Sequence, residues 1–187
     1  MKKDRFLAYN DAVLAIIVTI MVLDLPQPAH ASFAAIWELH SHFAAYAISF
    51  LQITVLWITH HHFFNLVHHI DRTILWVNSA MLFVVSLLPY TTQFIGENGN
   101  SVVAALFYGL VFLIFSLILS LELLLLVRGD FVDHEHHGVI LDKRRFIANY
   151  VVKALGFIFL WIFPAAILIA ALIDSLIWLL PDRRAEI

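Results

Sequence analysis

The hydrophobic and polar positions of this chain alternate on the scale of whole membrane spans. Apolar residues form six long runs, and each run is bounded by a short stretch rich in charge, proline, glycine or histidine. About 20 apolar residues are needed to cross a bilayer core of about 30 Å. The pattern therefore predicts six transmembrane helices, at about residues 7–25, 36–60, 73–95, 102–127, 145–162 and 164–180.

Composition supports an integral membrane protein. The chain has 187 residues, of which 62% are hydrophobic and 13% are charged, whereas a soluble domain averages about 45–50% apolar and about 25% charged residues. We expect an all-α fold in one domain, 1–187, without internal duplication. The absence of cysteine excludes disulfides and thiolate metal sites. No long basic run indicates a nucleic-acid partner.

The boundary between the last two predicted helices rests on Pro164. A single kinked helix over about 145–180 is the alternative, and it would give five spans. Charge placement favours six, because basic residues concentrate on the cytoplasmic side. With six spans and both termini cytoplasmic, only Lys153 lies within a span, and the predicted inner segments hold the other ten of the eleven basic residues: Lys2, Lys3, Arg5, Arg72, Arg128, Lys143, Arg144, Arg145, Arg183 and Arg184. We therefore predict a multi-pass protein of the plasma membrane.

The first helix carries two features with different expected roles. Ile16, Ile20 and Leu23 recur at i, i+4 and i+7 and share one helical face. Asp11 projects about 140° away from that face. One hypothesis is that the aliphatic stripe lines a path while a buried Asp11 carboxylate holds the packing. The alternative is that the stripe contacts lipid or neighbouring helices, because apolar residues cover every face of this helix.

Four ionisable residues fall at membrane depth: Asp11, Glu122, Lys153 and Asp174. Each needs a partner or water, because a charge at mid-bilayer costs at least about 2.5–3.5 kcal/mol. Glu122 and Lys153 lie at matching depths, which allows an ion pair. These groups could stabilise the helix bundle or form a proton relay or ion site, and the sequence leaves both interpretations open.

Polar groups near the stripe and in the turns have weaker implications. Thr19 could be a weak pore ligand, although bonding to its own helix carbonyl is the commoner role. Asp24, at the outer end of the first helix, would form a cation-concentrating ring in an oligomer built around that helix.

Histidine is the commonest metal ligand, but consecutive histidines point in different directions, so solvated or hydrogen-bonded roles are favoured over metal binding. The turn histidines are His60, His61, His62, His68, His69, His134, His136 and His137.

The motif Arg5-x-x-x-Tyr9-Asn10-Asp11, followed by an apolar helix, resembles the R-x-x-x-F-S-D signature of the transmembrane protein 175 family of potassium channels. It is most similar to the short bacterial members, which have one six-helix unit per chain. The family's Phe-Ser is Tyr9-Asn10 here. The similarity extends over most of residues 5–97, through these further positions: Trp57, His60, Phe63, Phe64, Asp71, Arg72, Leu75, Trp76, Leu87, Leu88 and Pro89.

The resemblance implies a homotetramer whose first helices surround a central pore with an aliphatic constriction. It places the filter isoleucine at Ile16, the next narrow layers at Ile20 and Leu23, and Thr19 beside them. It also implies a polar network that sets the rotation of the first helix. That network and its motif comprise Arg5, Tyr9, Asn10, Asp11 and His60.

The function that we predict is a potassium-preferring cation leak channel without a voltage sensor, a cofactor or enzymatic activity. An S4-type arginine repeat and a TVGYG-like filter sequence are both absent from the sequence. Potassium, and as an open alternative other monovalent cations, would be the permeant ions. One rival is a secondary or proton-coupled transporter that uses Asp11, Lys153 and Asp174. Another is a non-conducting membrane scaffold, and an intramembrane enzyme is disfavoured because no nucleophile–base–orienter set is evident.

Overall fold

The computed structural model describes residues 3–179, so Lys2, Arg183, Arg184 and the last residue of the predicted sixth helix lie outside the described part. Within that part the fold is all-α, with no strand, as the sequence predicted. The helices are α1 (Lys3–Leu23), α2 (Phe33–Glu38), α3 (His40–Asn65), α4 (Arg72–Val85), α5 (Leu88–Glu97), α6 (Val102–Arg128), α7 (His137–Ile140), α8 (Lys143–Phe159) and α9 (Ala166–Leu179), with a 3₁₀ turn at His134–His136.

Four helical segments of the described chain are long and apolar enough to cross a membrane. They are Lys3–Leu23, His40–Asn65, Arg72–Glu97 and Val102–Arg128. The third of these comprises α4 and α5 together. The last helix, Ala166–Leu179, is apolar but shorter. The predicted 36–60 segment is divided, because a break at Leu39 separates the short α2 from α3.

Side-chain caps explain where several helices begin. Ser32 accepts a hydrogen bond from the backbone N–H of Ala35 and caps α2. Asp71 caps α4 through the N–H of Ile74. The N–H groups at a helix start lack intrahelical partners, so these oxygens satisfy donors that would otherwise be unpaired.

The third span bends between α4 and α5. Pro89 stands in the first turn of α5 and has no N–H to continue the helical hydrogen bonds. Ser86 and Leu87 form the turn, and the backbone N–H of Leu87 bonds to the carbonyl of Val84. Proline is a usual cause of such kinks. The bend brings α5 against both α1 and α3.

α8 and α9 form an antiparallel pair, so the last apolar run of the described chain is not one long helix. The break at residues 160–165 contains Pro164. A Cβ at Gly156 would lie 2.7 Å from the Cβ of Ala170. This close backbone approach depends on the small residue, as is common between membrane helices. The prediction that Pro164 divides the run into two helices is confirmed.

The N-terminus of α1 is attached to the end of α3. Lys3 Nζ donates to the carbonyl of Asn65 at 2.8 Å and to that of Val67 at 3.1 Å. The Asn65 carbonyl lies in the last turn of α3 and the Val67 carbonyl just beyond it, where carbonyls lack helical donors, so a lysine is a favourable partner there. The backbone N–H of His68 bonds in turn to the carbonyl of Phe131, in the loop after α6. The start of α1 and these two chain segments therefore lie at one end of the bundle.

Candidate pore-lining surface and its polar support

The aliphatic stripe of α1 lies on the outside of the isolated subunit. Ile16 is 58% exposed, Ile20 43% and Leu23 82%. The opposite side of the helix packs into the hydrophobic core through Leu14, Ile17 and Met21. One face of α1 is thus used by the subunit fold, while the predicted constriction residues are only partly covered by the described part of the chain.

A surface groove of about 510 Å³ runs beside this stripe. Ile16 and Ile20 line one side and Tyr90 and Gln93 of α5 line the other, with Asp24 also in the lining. Asp24 is partly buried. The kink before α5 therefore places aromatic and amide side chains next to the predicted constriction, which the sequence alone did not indicate.

Thr19 uses its hydroxyl proton within its own helix. Its hydroxyl donates to the carbonyl of Ile16 at 2.8 Å, which is the ordinary role of a threonine in a membrane helix. The side chain is exposed, as are those of its neighbours on the stripe. The hydroxyl oxygen retains lone pairs on the same side of the helix as the aliphatic face.

Asp11 is exposed, so the expectation of a buried carboxylate at this position is wrong. Its Oδ1 accepts a hydrogen bond of 2.8 Å from Nε1 of Trp57 on α3. Asp11 is exposed because of the rotation of α1 about its own axis. The face of α1 that packs into the bundle carries Phe6 and Asn10 rather than Asp11. The Trp57–Asp11 bond still ties α1 to α3, but at the subunit surface.

Asn10 is the buried member of the motif. Its Nδ2 donates to the Phe6 carbonyl at 3.2 Å, and its Oδ1 accepts from Nδ2 of Asn78 on α4 at 2.8 Å. The Oδ1 of Asn78 lies 3.1 Å from Nε2 of His60. Since an amide oxygen only accepts, the His60 ring must donate from Nε2. Because the Phe6 carbonyl can only accept, it fixes the donor and the acceptor in all three of these hydrogen bonds.

His60 also approaches Glu122 of α6, with 3.7 Å between Nε2 and Oε2. Both side chains are buried. The predicted polar network therefore contains Asn10 and His60, but it also includes Asn78 and Glu122. Among residues 3–179, neither Arg5 nor Tyr9 joins it, and both are exposed.

The structure corrects the expected Glu122–Lys153 pair. Lys153 Nζ instead donates to Oδ1 of Asp174 on α9 at 2.9 Å and to Oδ1 of Asn149 on its own helix. It also lies 4.2 Å from the centre of the Phe112 ring. The close contact of α8 with α9 explains why Asp174 is the partner. Gly156 lies against Ala170 in this antiparallel pair, so Lys153, three residues before Gly156, lies opposite Asp174, four residues after Ala170. Matching depth alone could not select between Glu122 and Asp174.

The sequence did not predict a second series of buried hydrogen bonds between side chains. Thr92 donates to Ser49 at 2.7 Å, Ser49 lies 2.9 Å from the Tyr108 hydroxyl, and Tyr108 donates to Gln52 at 2.8 Å. The available signal was the i, i+3 spacing of Ser49 and Gln52 within an otherwise apolar segment. These three hydrogen bonds connect α3, α5 and α6, and none of them has a partner on α1.

Outside the buried network that contains His60, the described turn histidines His68 and His134 contact other side chains of the turns. His68 Nε2 lies 3.2 Å from Oδ1 of Asp133, and the rings of His134 and His137 meet edge to face. Over residues 3–179, no group of three or more histidine, aspartate or glutamate side chains has a geometry that could hold a metal ion.

Together these features define the class of the molecule: an all-helical membrane protein whose first helix presents an uncovered aliphatic face and is held from behind by buried polar bonds. Comparison with known proteins gives the family. The chain belongs to the TMEM175 family, which confirms the resemblance seen in its first helix. Residues 5–89 match the family model described as endosomal/lysosomal potassium channel TMEM175, which is a channel description rather than that of an enzyme.

Relatives from bacteria and vertebrates share this similarity. A potassium channel of Chryseobacterium sp. (strain P1-3) is 31% identical over 186 residues, covering 100% of this chain and 97% of that protein. The endosomal/lysosomal proton channel TMEM175 of Danio rerio is 30% identical over 128 residues, 64% of this chain and 24% of that protein. The crystal structure of a lysosomal potassium-selective channel TMEM175 homolog from Chamaesiphon minutus has the same fold, with a TM-score of 0.82, 23% identity and coverage of 94% and 95% of the two chains.

Proposed function

We propose that this chain is the subunit of a potassium-preferring cation leak channel, and that four copies surround a pore lined by α1. The observation that carries the proposal is the stripe of Ile16, Ile20 and Leu23, which is exposed in the subunit although it lies on a helix with a well-packed opposite face. The ion is suggested by the bacterial relatives, which are named potassium channels.

The proposed constriction works by dehydration. Aliphatic side chains offer a permeating ion no oxygen to replace the water it loses, so the ion with the weaker hydration, potassium, passes more readily than sodium. Such a ring can also close by dewetting when it narrows. Ile16 would form the narrowest layer, with Ile20 and Leu23 as further layers and Asp24 at the outer mouth. Thr19, whose hydroxyl is bonded to its own helix, would contribute only weakly.

The proposed topology has six membrane crossings, both termini in the cytoplasm and the bilayer of the plasma membrane as surroundings. Its support is the clustering of basic residues on the predicted inner segments. The bound Lys3 at the start of α1, Arg128 at the end of α6 and Lys143 at the start of α8 are described members of that pattern. α8 and α9 would be the fifth and sixth crossings.

The test is ion flux into liposomes that contain the purified protein, with potassium and sodium gradients measured separately. We expect a potassium flux that exceeds the sodium flux. Ile16→Asn should lower the K⁺/Na⁺ flux ratio by about fivefold, because one side-chain ligand that favours the more strongly hydrated ion contributes about 1 kcal/mol.

Leu117→Asn is the matched control, because Leu117 is an exposed aliphatic residue of another spanning helix, α6, at 50% exposure. It should leave the flux ratio unchanged. An equal loss of selectivity in both variants would remove Ile16 from the constriction, and an absence of flux with either ion would remove the channel. Saturable flux that requires a counter-ion would instead support the transporter that uses Asp11, Lys153 and Asp174. A proton gradient as a third condition tests the permeant ion in the names of the vertebrate relatives.

A further inference from the structure

Glu122 is a carboxyl group buried inside the bundle without a hydrogen bond from the described residues. Its side chain is 0% exposed, and neither carboxylate oxygen has a hydrogen-bond partner within residues 3–179. The only ion-pair contact of this group within the described chain is Nε2 of His60 at 3.7 Å. A buried charge without a partner is strongly unfavourable. The stability of this arrangement therefore depends on a positive charge on His60 or on a proton held by the carboxyl group.

His60 connects Glu122 to the proposed pore helix. The ring donates to Asn78, Asn78 donates to Asn10, and Asn10 donates to the carbonyl of Phe6. Asn10 precedes Ile16 by six residues, which is about 9 Å along a helix. A change of charge at the ring thus alters the first of three consecutive hydrogen bonds that end on α1.

The other groups that face this pair are neutral or already engaged. The His60 ring stacks on Phe64 of α3 and on Phe6 of α1, with ring centres 4.2 and 5.9 Å apart. Asn78 is the contact from α4. Two charged residues of the neighbouring elements have other partners: Lys3 bonds to the end of α3, and Lys153 of α8 is paired with Asp174 of α9.

We propose that Glu122 and His60 form a proton-binding site within each subunit, and that this site positions α1. When the ring carries its second proton, Glu122 balances the charge and the bond from Nε2 to Asn78 is charge-assisted, roughly twice as strong as its neutral counterpart. When the site loses that proton, the bond to Asn78 weakens and α1 is freer to rotate. The link to selectivity rests on the proposed function, whereas the link to the position of α1 does not.

The position of α1 can be tested without ion flux, because the chain contains no cysteine. Leu14 is 4% exposed and faces the core, so a Leu14→Cys thiol should react slowly with a water-soluble maleimide in liposomes. Adding Glu122→Gln, which keeps the size and removes the charge, should raise the reaction rate by about tenfold, the ratio expected when a charge-assisted hydrogen bond becomes neutral.

Asn100→Cys is the control, because this exposed residue in the turn between α5 and α6 lies off α1 and should react at the same rate whether or not the Glu122→Gln substitution is present. Glu122→Asp should restore most of the protection of Leu14→Cys. If Glu122→Gln does not yield a folded protein by size exclusion, His60→Gln removes the same charge pair from the other side and should give the same increase. Equal rates for Leu14→Cys in the parent, Glu122→Gln and His60→Gln backgrounds would overturn the proposal.

The second readout is the pH profile of selectivity. The K⁺/Na⁺ flux ratio of the parent protein should fall as the pH is raised and the site loses its proton. Glu122→Gln should flatten this profile, and Glu122→Asp should preserve it. A fall of the same size in Glu122→Gln would contradict the proposal. If the parent conducts neither ion at any pH, the proposed function fails, and the cysteine rates still decide whether the site positions α1.

Discussion

The ion pair between Lys153 and Asp174 gives the sharpest stability prediction. At 2.9 Å, two unit charges attract by about 6 kcal/mol with an effective dielectric constant of about 20. Lys153 is 1% exposed, so the substitution Asp174→Asn leaves a buried ammonium group without its counter-charge. A neutral amide replaces the carboxylate, and Asn149 and the Phe112 ring are the two other close contacts among the described residues. Removal of one partner from a buried pair typically costs about 3–5 kcal/mol. We expect Asp174→Asn to cost about 3 kcal/mol, because those two contacts remain.

A double-mutant cycle in detergent micelles measures this coupling. Lys153→Met, Asp174→Asn and the double variant are compared with the parent by thermal unfolding, followed through circular dichroism. Each single variant should lower the midpoint by roughly 10 °C, and the double variant should be more stable than the sum of the single effects implies. Additive effects would refute the reasoning, since they would mean that the two charges do not stabilise each other in the folded subunit.

Two further substitutions test packing and the second polar chain. Gly156→Val adds a side chain whose Cβ would lie 2.7 Å from the Cβ of Ala170, so we expect α8 and α9 to separate. The loss of about 1–3 kcal/mol in folding stability is measured by the same unfolding assay. An unchanged midpoint would show that the two helices are not closely packed. Ser49→Ala removes the link between Thr92 and Tyr108 and should cost about 1–3 kcal/mol. It should leave the K⁺/Na⁺ flux ratio unchanged, because the hydrogen bonds of this network do not include α1.

Periodicity predicted the surface of α1 better than it predicted its interior contacts. The i, i+4, i+7 rule selects Ile16, Ile20 and Leu23 as one face, and the structure leaves that face outside the subunit. The same rule placed Asp11 on a different face but could not show whether that face is buried. Burial depends on which neighbour packs there, and Trp57 meets Asp11 at the surface.

The sequence could not pair the buried charged residues, because it gives their depth in the membrane but not the direction in which each side chain points. Glu122 and Lys153 match in depth, yet the rotations of their helices direct Glu122 to His60 and Lys153 to Asp174. Rotation is set by contacts such as Gly156 against Ala170, which involve residues distant in sequence. Pro89 was visible as a sequence feature, but its effect on α5 depends on packing against α1 and α3.

The bonds of Lys3 restrict how α1 can move. Its ammonium group is held by two carbonyls at the end of α3, so one end of the helix is a fixed point. A piston-like displacement along the helix axis would break both bonds, whereas a pivot about that end preserves them. A pivot displaces each residue in proportion to its distance from Lys3, so Leu23 would travel farther than Ile16. In the proposed pore, the Leu23 layer would widen most, and the Ile16 layer, 13 residues from Lys3 against 20 for Leu23, would widen about two-thirds as much.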